Sequence, residues 1–386
     1  MKILFLHTYY RQKGGEDAAF EQDVTIMEQV ASTSNIRFKN KTGWRGALQF
    51  FTSIWNIWAG RKLKQAIKTQ QPDLIHIHNL HYAIGPIAIR IASRAGIPVV
   101  STLHNFRLLD PSGILMPENH LGDKLSDSFP WQAVRNKVYR NSAIQTFWLA
   151  FIVWFHKKIG TWQMVDKFLV QTSFSKNIFT KSLPGIPAEK YFVHANFVYP
   201  PTAKSLEKEH HFLFVGRLSA EKGISILLES FRESGQTLLI AGDGPLRDTV
   251  EEFCRTNKNV QSLGLLRKEE VLRAMKQCTA LIFPSTWYEG MPITILEAFS
   301  LGVPVIASDV GAMSVMINHG YNGLLFEMGN AESLTEQVMH WNSLEEEEKT
   351  VYSLNAKKEF EEKYSPGKYK KQMLEIYENV LQQEEI

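Results

Sequence analysis

Two rhythms of hydrophobic residues alternate along the chain. Short, nearly continuous apolar runs are each followed by a longer segment with helical spacing of its apolar positions. In the first half the short runs read as strands KILFLHT, SNIRFKN, DLIHIHN, PVVSTLH, DKFLVQT and YFVHANF. In the second half they read HFLFVGR, TLLIAGD, NVQSLGL, ALIFPST, PVIASDV and GLLFEMG. Strands apolar on both faces suit parallel sheets covered by helices on each side, so the fold class is α/β. Two six-strand sets of similar size predict two Rossmann-like domains, with no sequence repeat between them. The boundary is expected around Pro200-Pro201, where the sequence turns polar and charged (PPTAKSLEKEHH). Residues 1–200 and 201–365 are then the two domains. After a turn at Ser365-Pro366-Gly367, residues 366–386 read as a charged amphipathic helix. Ligands of such sheets lie outside the carboxyl ends of the strands, so the cleft between the domains is the expected site.

Two segments break this rhythm. Trp44–Lys64 combines Trp44, Phe50, Phe51, Trp55 and Trp58 with a basic end, and Ile144–Lys158 is mostly apolar before a basic pair. Both are too short to span a bilayer, which takes about 20 apolar residues. Large rings beside cations suit a membrane interface, the expectation for Trp44–Lys64. Ile144–Lys158 is expected to be a buried helix packed on the sheet.

Composition narrows the setting. At 386 residues, 44% hydrophobic and 22% charged, the chain is long enough for two globular domains. Cys254 and Cys278 are too few for a disulfide framework, which favours a reducing compartment. The chain opens directly into a strand without a charged-then-apolar leader, so no secretory signal is expected. The net charge of +3 conceals an asymmetry: residues 1–190 hold 24 Lys/Arg against 12 Asp/Glu, and the remainder 19 against 28. A basic front half points to an anionic partner, either a lipid surface or a phosphate-bearing acceptor. No helix-turn-helix, zinc-finger or RNA-binding signature accompanies the charge, so nucleic acid is not expected.

The densest chemistry lies in TWYEGMPITILEAFSLGVPVIAS. Glu289, in a loop with Gly290, and Glu297, on an apolar helix, are separated by seven residues, with Pro292 near the favoured first helical position. Exposed N–H groups of a helix start bind phosphate, and the acids take hydroxyls. In FVGRLSAEKGISILLESF a strand ends at Gly216, and Arg217 and Lys222 flank the loop before Gly223. A forked guanidinium and a point charge suit a diphosphate. The paired glycines Gly14-Gly15 allow close backbone approach to a ligand, without a Walker or G-x-G-x-x-G pattern; AGDGP at 241–245 offers only G-x-G. His76, His78 and His81 raise a metal cluster, but no acid or cysteine is spaced to complete it. His104, followed by Asn105 and Arg107, falls at a strand end, where it can bond a sugar hydroxyl or stabilise transition-state charge.

Taken together, the Gly14-Gly15 loop, TLHNFR around His104, GRLSAEKG, AGDGP and EGMPITILEA resemble the retaining glycosyltransferases of family four. The resemblance covers both domains. It implies a GT-B fold, whose last helix packs back toward the N-terminal domain, and transfer of a hexose from a nucleoside-diphosphate sugar to an acceptor hydroxyl. The anomeric configuration would be retained, with no essential metal and no cofactor beyond the sugar nucleotide. On that pattern Arg217 and Lys222 neutralise the diphosphate, helped by backbone at Gly15 and Gly216 and by the helix start at Gly290, Met291, Pro292 and Ile293. Glu289 holds donor-sugar hydroxyls, Glu297 the ribose hydroxyls, and His104 the sugar near its anomeric carbon. Retention usually asks for a nucleophile on the far face; no carboxylate is an obvious candidate, so a same-face path fits better. After HNFRLL, relatives often continue with Cys-Pro, whereas here Asp110-Pro111-Ser112-Gly113 and Glu118-Asn119-His120 follow. A UDP-sugar is the favoured donor and GDP-mannose the second. The expected acceptor is a glycan or lipid-linked glycan in polysaccharide assembly, met by a cytoplasmic protein peripheral on the inner membrane face. A non-catalytic sugar-nucleotide-binding protein of the same fold, or a pyridoxal-phosphate phosphorylase, are the alternatives.

Overall fold

A computed structural model describes residues 1–10, 14–115, 129–201 and 209–382. Glu118-Asn119-His120 and most of the polar boundary stretch lie outside the described residues. All twelve apolar runs form strands, in two parallel six-stranded sheets. The first sheet comprises β1 (Lys2–Tyr9), β2 (Ser32–Lys39), β3 (Leu74–Ile77), β4 (Val99–Thr102), β5 (Lys167–Val170) and β6 (Tyr191–Val193), in the order β2-β1-β3-β4-β5-β6. The second comprises β7 (Phe212–Val215), β8 (Leu238–Ala241), β9 (Val260–Gly264), β10 (Ala280–Phe283), β11 (Val305–Ser308) and β12 (Gly323–Phe326), in the order β12-β11-β10-β7-β8-β9.

Both faces of the second sheet are buried at its centre, which is why β7, β10 and β11 are apolar nearly throughout, whereas the edge strand β9 (VQSLG) is largely half-buried or exposed. Phe212 and Phe214 of β7 join one core with Ile282 and Ile306. Leu213, between them, points the other way, into a core with Leu281 and Val305. The period-two alternation thus sorts one apolar run into two cores. In the first sheet Ile3, Leu4, Phe5 and Leu6 are likewise buried in sequence.

The chain forms two compact units, and each strand order reverses once. In the first the reversal lies between β1 and β3; in the second it lies between β7 and β10. Loops that leave such a point diverge to opposite sides and open a crevice at the strand ends. The first unit runs to His194, and the second holds Ala195–Tyr369. That division precedes Pro200-Pro201 because Val198 already belongs to a core of the second unit and the Asn196 N–H donates to Met291 Sδ at 3.3 Å. The chain from Lys370 onward returns to the first unit, where Tyr377, on helix Pro366–Gln382, places its hydroxyl 2.6 Å from His76 Nδ1.

Candidate active site

In the second unit the sequence-predicted residues gather at the reversal point. The loop after β7 is pinned from one side by the glycines of Gly242-Asp243-Gly244. A Cβ on Gly242 would fall 1.9 Å from the Gly216 carbonyl oxygen, and one on Gly244 2.5 Å from that of Leu218. The Leu218 N–H donates to Asp243 O at 3.0 Å, so AGDGP is a packing device for the Arg217 loop. From the other side, Gly223 has φ of +71°, and a Cβ there would lie 1.9 Å from the Pro284 carbonyl oxygen. The Thr286 N–H donates to Glu221 O at 2.9 Å. Loops after β7 and β10 are therefore bound edge to edge.

This clamping brings Lys222 Nζ to 2.5 Å from Glu289 Oε1. Ser285 Oγ donates to the same oxygen at 3.0 Å, and Trp287 Nε1 donates to it as well. The ammonium also sits 4.9 Å from the Trp287 ring centre, a cation–π geometry. With three donors on Oε1, Glu289 is oriented, and among the described residues Oε2 has no partner and remains for a ligand. The sequence cast Lys222 and Glu289 as separate contacts, cation to phosphate and acid to sugar. The structure makes them one ion pair, because a buried-edge carboxylate needs a compensating charge. Arg217 is exposed, and among the described residues its guanidinium has no partner.

Glu297 lies on helix Ile293–Ser300 and is only 8% exposed. Lys268, missed in the sequence because it is distant in chain order, pairs with Glu297 Oε1. The Lys268 side chain is 56% exposed and so easily displaced. Pro292 is the residue immediately before the first helical position, near where the sequence placed it. Met291 and Pro292 are buried, and Gly290 and Ile293 partly so; they shape the helix start from beneath.

The first unit presents a different chemistry. A cavity of about 120 Å³ is lined by Glu16, His78, Asn79, His104, Asn105 and Arg107, among others. The three histidines of the considered metal cluster have separate protein partners. His76 lies between Tyr377 and Thr102, with Nε2 2.7 Å from Thr102 Oγ1. His78 Nδ1 is 3.0 Å from His104 Nε2, and His81 Nε2 is 3.2 Å from Tyr139 Oη. Among the described residues no group of three or more His, Cys, Asp or Glu is placed to hold a metal ion. Burial holds His76, His78 and His81 well below the usual imidazole range. His104 falls to about 3 for the same reason, aided by nearby His7. A neutral ring at His104 can bond a hydroxyl, one of the two roles that the sequence left open.

Gly14 and Gly15 open helix Gly15–Met27. Among the described residues a Cβ at either would meet nothing within 4 Å, so packing against those residues does not require these glycines. The Gly14 N–H donates to Asp17 Oδ2 at 3.1 Å, and Asp17 Oδ1 lies 2.8 Å from His7 Nε2. Glu16 was missed in the sequence, though an acid in a helix's first turn after paired glycines is a usable signal. Asn105 Nδ2 donates to it at 3.2 Å, and Arg107 Nη1 donates to Tyr10 Oη at 2.8 Å beside it. Burial pushes the Glu16 carboxyl up to about 7.

Trp44–Lys64 folds as helix Gly43–Thr52, a tight turn and the start of helix Ile57–Gln70. Trp44 and Trp58 are 72% and 66% exposed, whereas Phe50 is buried and Trp55 stacks on His156. Arg37, Lys39, Lys41, Arg45 and Lys62 line an open groove with the two exposed indoles. Helix Ala143–Lys158 is not the fully buried element expected. Leu149, Ala150 and Ile152 are buried, but Ile144 is 71% exposed. Trp148 meets Phe51 at 5.6 Å between ring centres, making the two segments neighbours. Among the described residues no helix is long and apolar enough to cross a membrane.

With two doubly covered sheets and charged loops at their reversal points described, likeness to known proteins can be placed on particular residues. A model of Glycosyltransferase Family 4 matches residues 30–200, and one of Glycosyl transferases group 1 matches residues 200–359. The two matches together span residues 30–359, so each unit is similar to a glycosyltransferase domain. An uncharacterized glycosyltransferase of Methanocaldococcus jannaschii is 29% identical over 221 residues, which cover 56% of this chain and 60% of that protein. The O-antigen chain mannosyltransferase C of Escherichia coli is 30% identical over 177 residues, covering 45% and 46%. The chain thus spans about half the length of the curated relatives it matches. Among solved structures, Anabaena HepE in complex with UDP has a TM-score of 0.70 at 18% identity, covering 98% of this chain and 100% of that one. Sucrose-phosphate synthase of Thermosynechococcus elongatus gives 0.69 at 15%, covering 98% of each. At such identities the likeness establishes the fold.

Proposed function

We propose that the protein is a retaining hexosyltransferase that moves a sugar from a nucleoside diphosphate to a glycan or lipid-linked glycan in polysaccharide assembly. One observation carries this reading: Lys222 and Glu289 meet at the β7/β10 reversal point with Glu289 Oε2 left for a ligand. Lys222 and Arg217 neutralise the departing diphosphate, Glu289 holds the donor sugar, and Glu297 takes the ribose hydroxyls after Lys268 moves aside. The bond from the anomeric carbon to the diphosphate oxygen breaks, and the acceptor oxygen bonds to the same face. The acceptor's proton passes to a leaving phosphate oxygen. Charge neutralisation by protein cations is then the main catalytic term, with no metal required.

A UDP-sugar is the favoured donor and GDP-mannose the second. Support comes from the UDP complex of HepE and from a 27% identical Escherichia coli relative, UDP-Gal:alpha-D-GlcNAc-diphosphoundecaprenol alpha-1,3-galactosyltransferase. The protein works on the inner face of the cell membrane, touching anionic lipid through Trp44–Lys64. The exposed Trp44 and Trp58 and the basic groove beside them support this contact.

Screening nucleotide sugars for thermal stabilisation and slow donor hydrolysis, with and without a chelator, tests the reading. A UDP-hexose should stabilise the protein and be hydrolysed equally in both arms, and transfer should give a product of unchanged anomeric configuration. Binding without turnover would leave a non-catalytic sugar-nucleotide protein. A chelator that abolishes turnover would remove the metal-free mechanism. Liposome flotation tests the membrane contact: Trp44→Ser/Trp58→Ser should lose flotation, and unchanged flotation would exclude this surface.

A further inference from the structure

We propose that Asp23 and His78 are positioning residues that set the tautomer of His104, leaving its Nδ1 as a hydrogen-bond acceptor for a ligand hydroxyl. Three side chains from separate elements form a line. Asp23, on helix Gly15–Met27, places Oδ2 3.4 Å from His78 Nε2. The Nδ1 atom of His78 lies 3.0 Å from His104 Nε2. Asp23 and His78 are each 4% exposed.

Both imidazoles are neutral at physiological pH, so each carries one ring proton and only two arrangements satisfy their shared bond. In one, His78 holds its proton on Nε2, toward Asp23. Its Nδ1 is then bare and must accept from His104 Nε2–H, so His104 Nδ1 is bare too. In the other, both protons move to Nδ1, and the bare Nε2 of His78 faces the carboxylate. With Asp23 ionised, that second arrangement sets two lone pairs against each other where both residues are only 4% exposed. The first places an N–H there, even though the 3.4 Å approach is too loose for a well-aligned bond. The hydrogen bond at one ring nitrogen decides the proton position at the other, and here the choice is relayed through two rings.

Among the described residues nothing partners His104 Nδ1, and the ring lines the cavity of the first unit. A bare nitrogen there accepts from a hydroxyl and repels an oxyanion. The ligand atom that meets it is therefore a donor, and an analogue lacking that hydroxyl leaves the nitrogen unpaired. That the hydroxyl belongs to a sugar rests on the transferase reading; the tautomer does not.

Imidazole nitrogens of ¹⁵N-histidine-labelled, unliganded protein report the tautomer directly in long-range proton–nitrogen correlation spectra, with His78→Gln and His104→Gln for assignment. The wild type should show His104 with a pyrrole-type Nε2 and a pyridine-type Nδ1, and Asp23→Asn should give a mixture. A pyrrole-type Nδ1 on wild-type His104, or an unchanged tautomer in a folded Asp23→Asn, overturns the proposal. Should Asp23→Asn fail to fold, the wild-type spectrum still decides. In the transfer assay, Asp23→Asn should lower kcat/KM about tenfold, the value of roughly one neutral hydrogen bond. It should also narrow the preference for the natural donor over its deoxy analogue. Absence of any sugar-nucleotide turnover would count against the transferase reading and leave the spectra unaffected.

Discussion

The two units end their central strands in loops of opposite electrical character. In the second, the groups at the reversal point are charged and paired, Lys222 with Glu289 and Lys268 with Glu297; Lys268 is open to water, whereas Lys222 is largely covered. In the first they are mainly imidazoles held uncharged by burial, beside a carboxyl whose pKa burial has raised and the Arg107 guanidinium. The exposed Lys268 can leave Glu297 at small cost, since exposed pairs contribute only about 0–1 kcal/mol, whereas the largely covered Lys222–Glu289 pair opens only against a compensating ligand charge. Buried neutral networks cannot open at small cost, because each unpaired member costs roughly 1–3 kcal/mol. On the proposed function, the second unit trades its internal charges for those of a ligand and the first reads hydroxyls.

The comparison breaks most visibly at Lys222. Lys222→Ala should lower kcat on the order of a hundredfold or more, read as consumption of sugar nucleotide. If Lys222→Ala and Arg217→Ala both turned over near the wild-type rate, charge neutralisation would not be the main term. The two glutamates should then separate. Glu289→Gln should lower kcat about tenfold or more with little change in nucleotide affinity. Glu297→Gln should raise the nucleotide Kd about tenfold with kcat nearly kept, as expected for lost bonds to a charged group. Calorimetry beside steady-state kinetics distinguishes them, and equal effects on both parameters would erase the assigned division.

Gly223→Ala tests the clamp between the loops rather than the chemistry. A left-handed alanine with its Cβ against the Pro284 carbonyl should cost about 2 kcal/mol or more, seen as a lower Tm. The smallest effect is expected at Glu16. Its folded pKa of about 7 lies above the usual 4.5, so its contribution to stability is present below about 4.5 and lost as pH rises through about 7. The Tm of the wild type should therefore fall relative to that of Glu16→Gln across this window, and a parallel pair of curves would show that Glu16 is not burdened by burial.

Legibility followed the distance along the chain over which a feature is encoded. The central strands were readable because a doubly covered strand needs only its own residues to be apolar. EGMPITILEA was readable because Glu289 and Glu297 bracket one helix start. Lys268 was not, since it lies 29 residues before Glu297 and nothing in its local sequence marks it as that acid's partner. The role of AGDGP was hidden too: its glycines are required by the carbonyls of Gly216 and Leu218, which only folding brings near. Helix Ala143–Lys158 misled because its buried residues and its exposed Ile144 and Phe147 are alike apolar, so no periodic contrast separated the faces.

By itself, then, the sequence determined the two-sheet α/β architecture, the charged loops of the second unit and the candidate roles of Arg217, Lys222, Glu289 and Glu297, all carried by short contiguous patterns. Tertiary structure alone decided that Lys222 and Glu289 share one ion pair, that Tyr377 returns to His76 in the first unit, and that His104 is uncharged. Proton positions and ion pairing depend on burial and on neighbours far apart in the chain, and neither exists until the strands are in register.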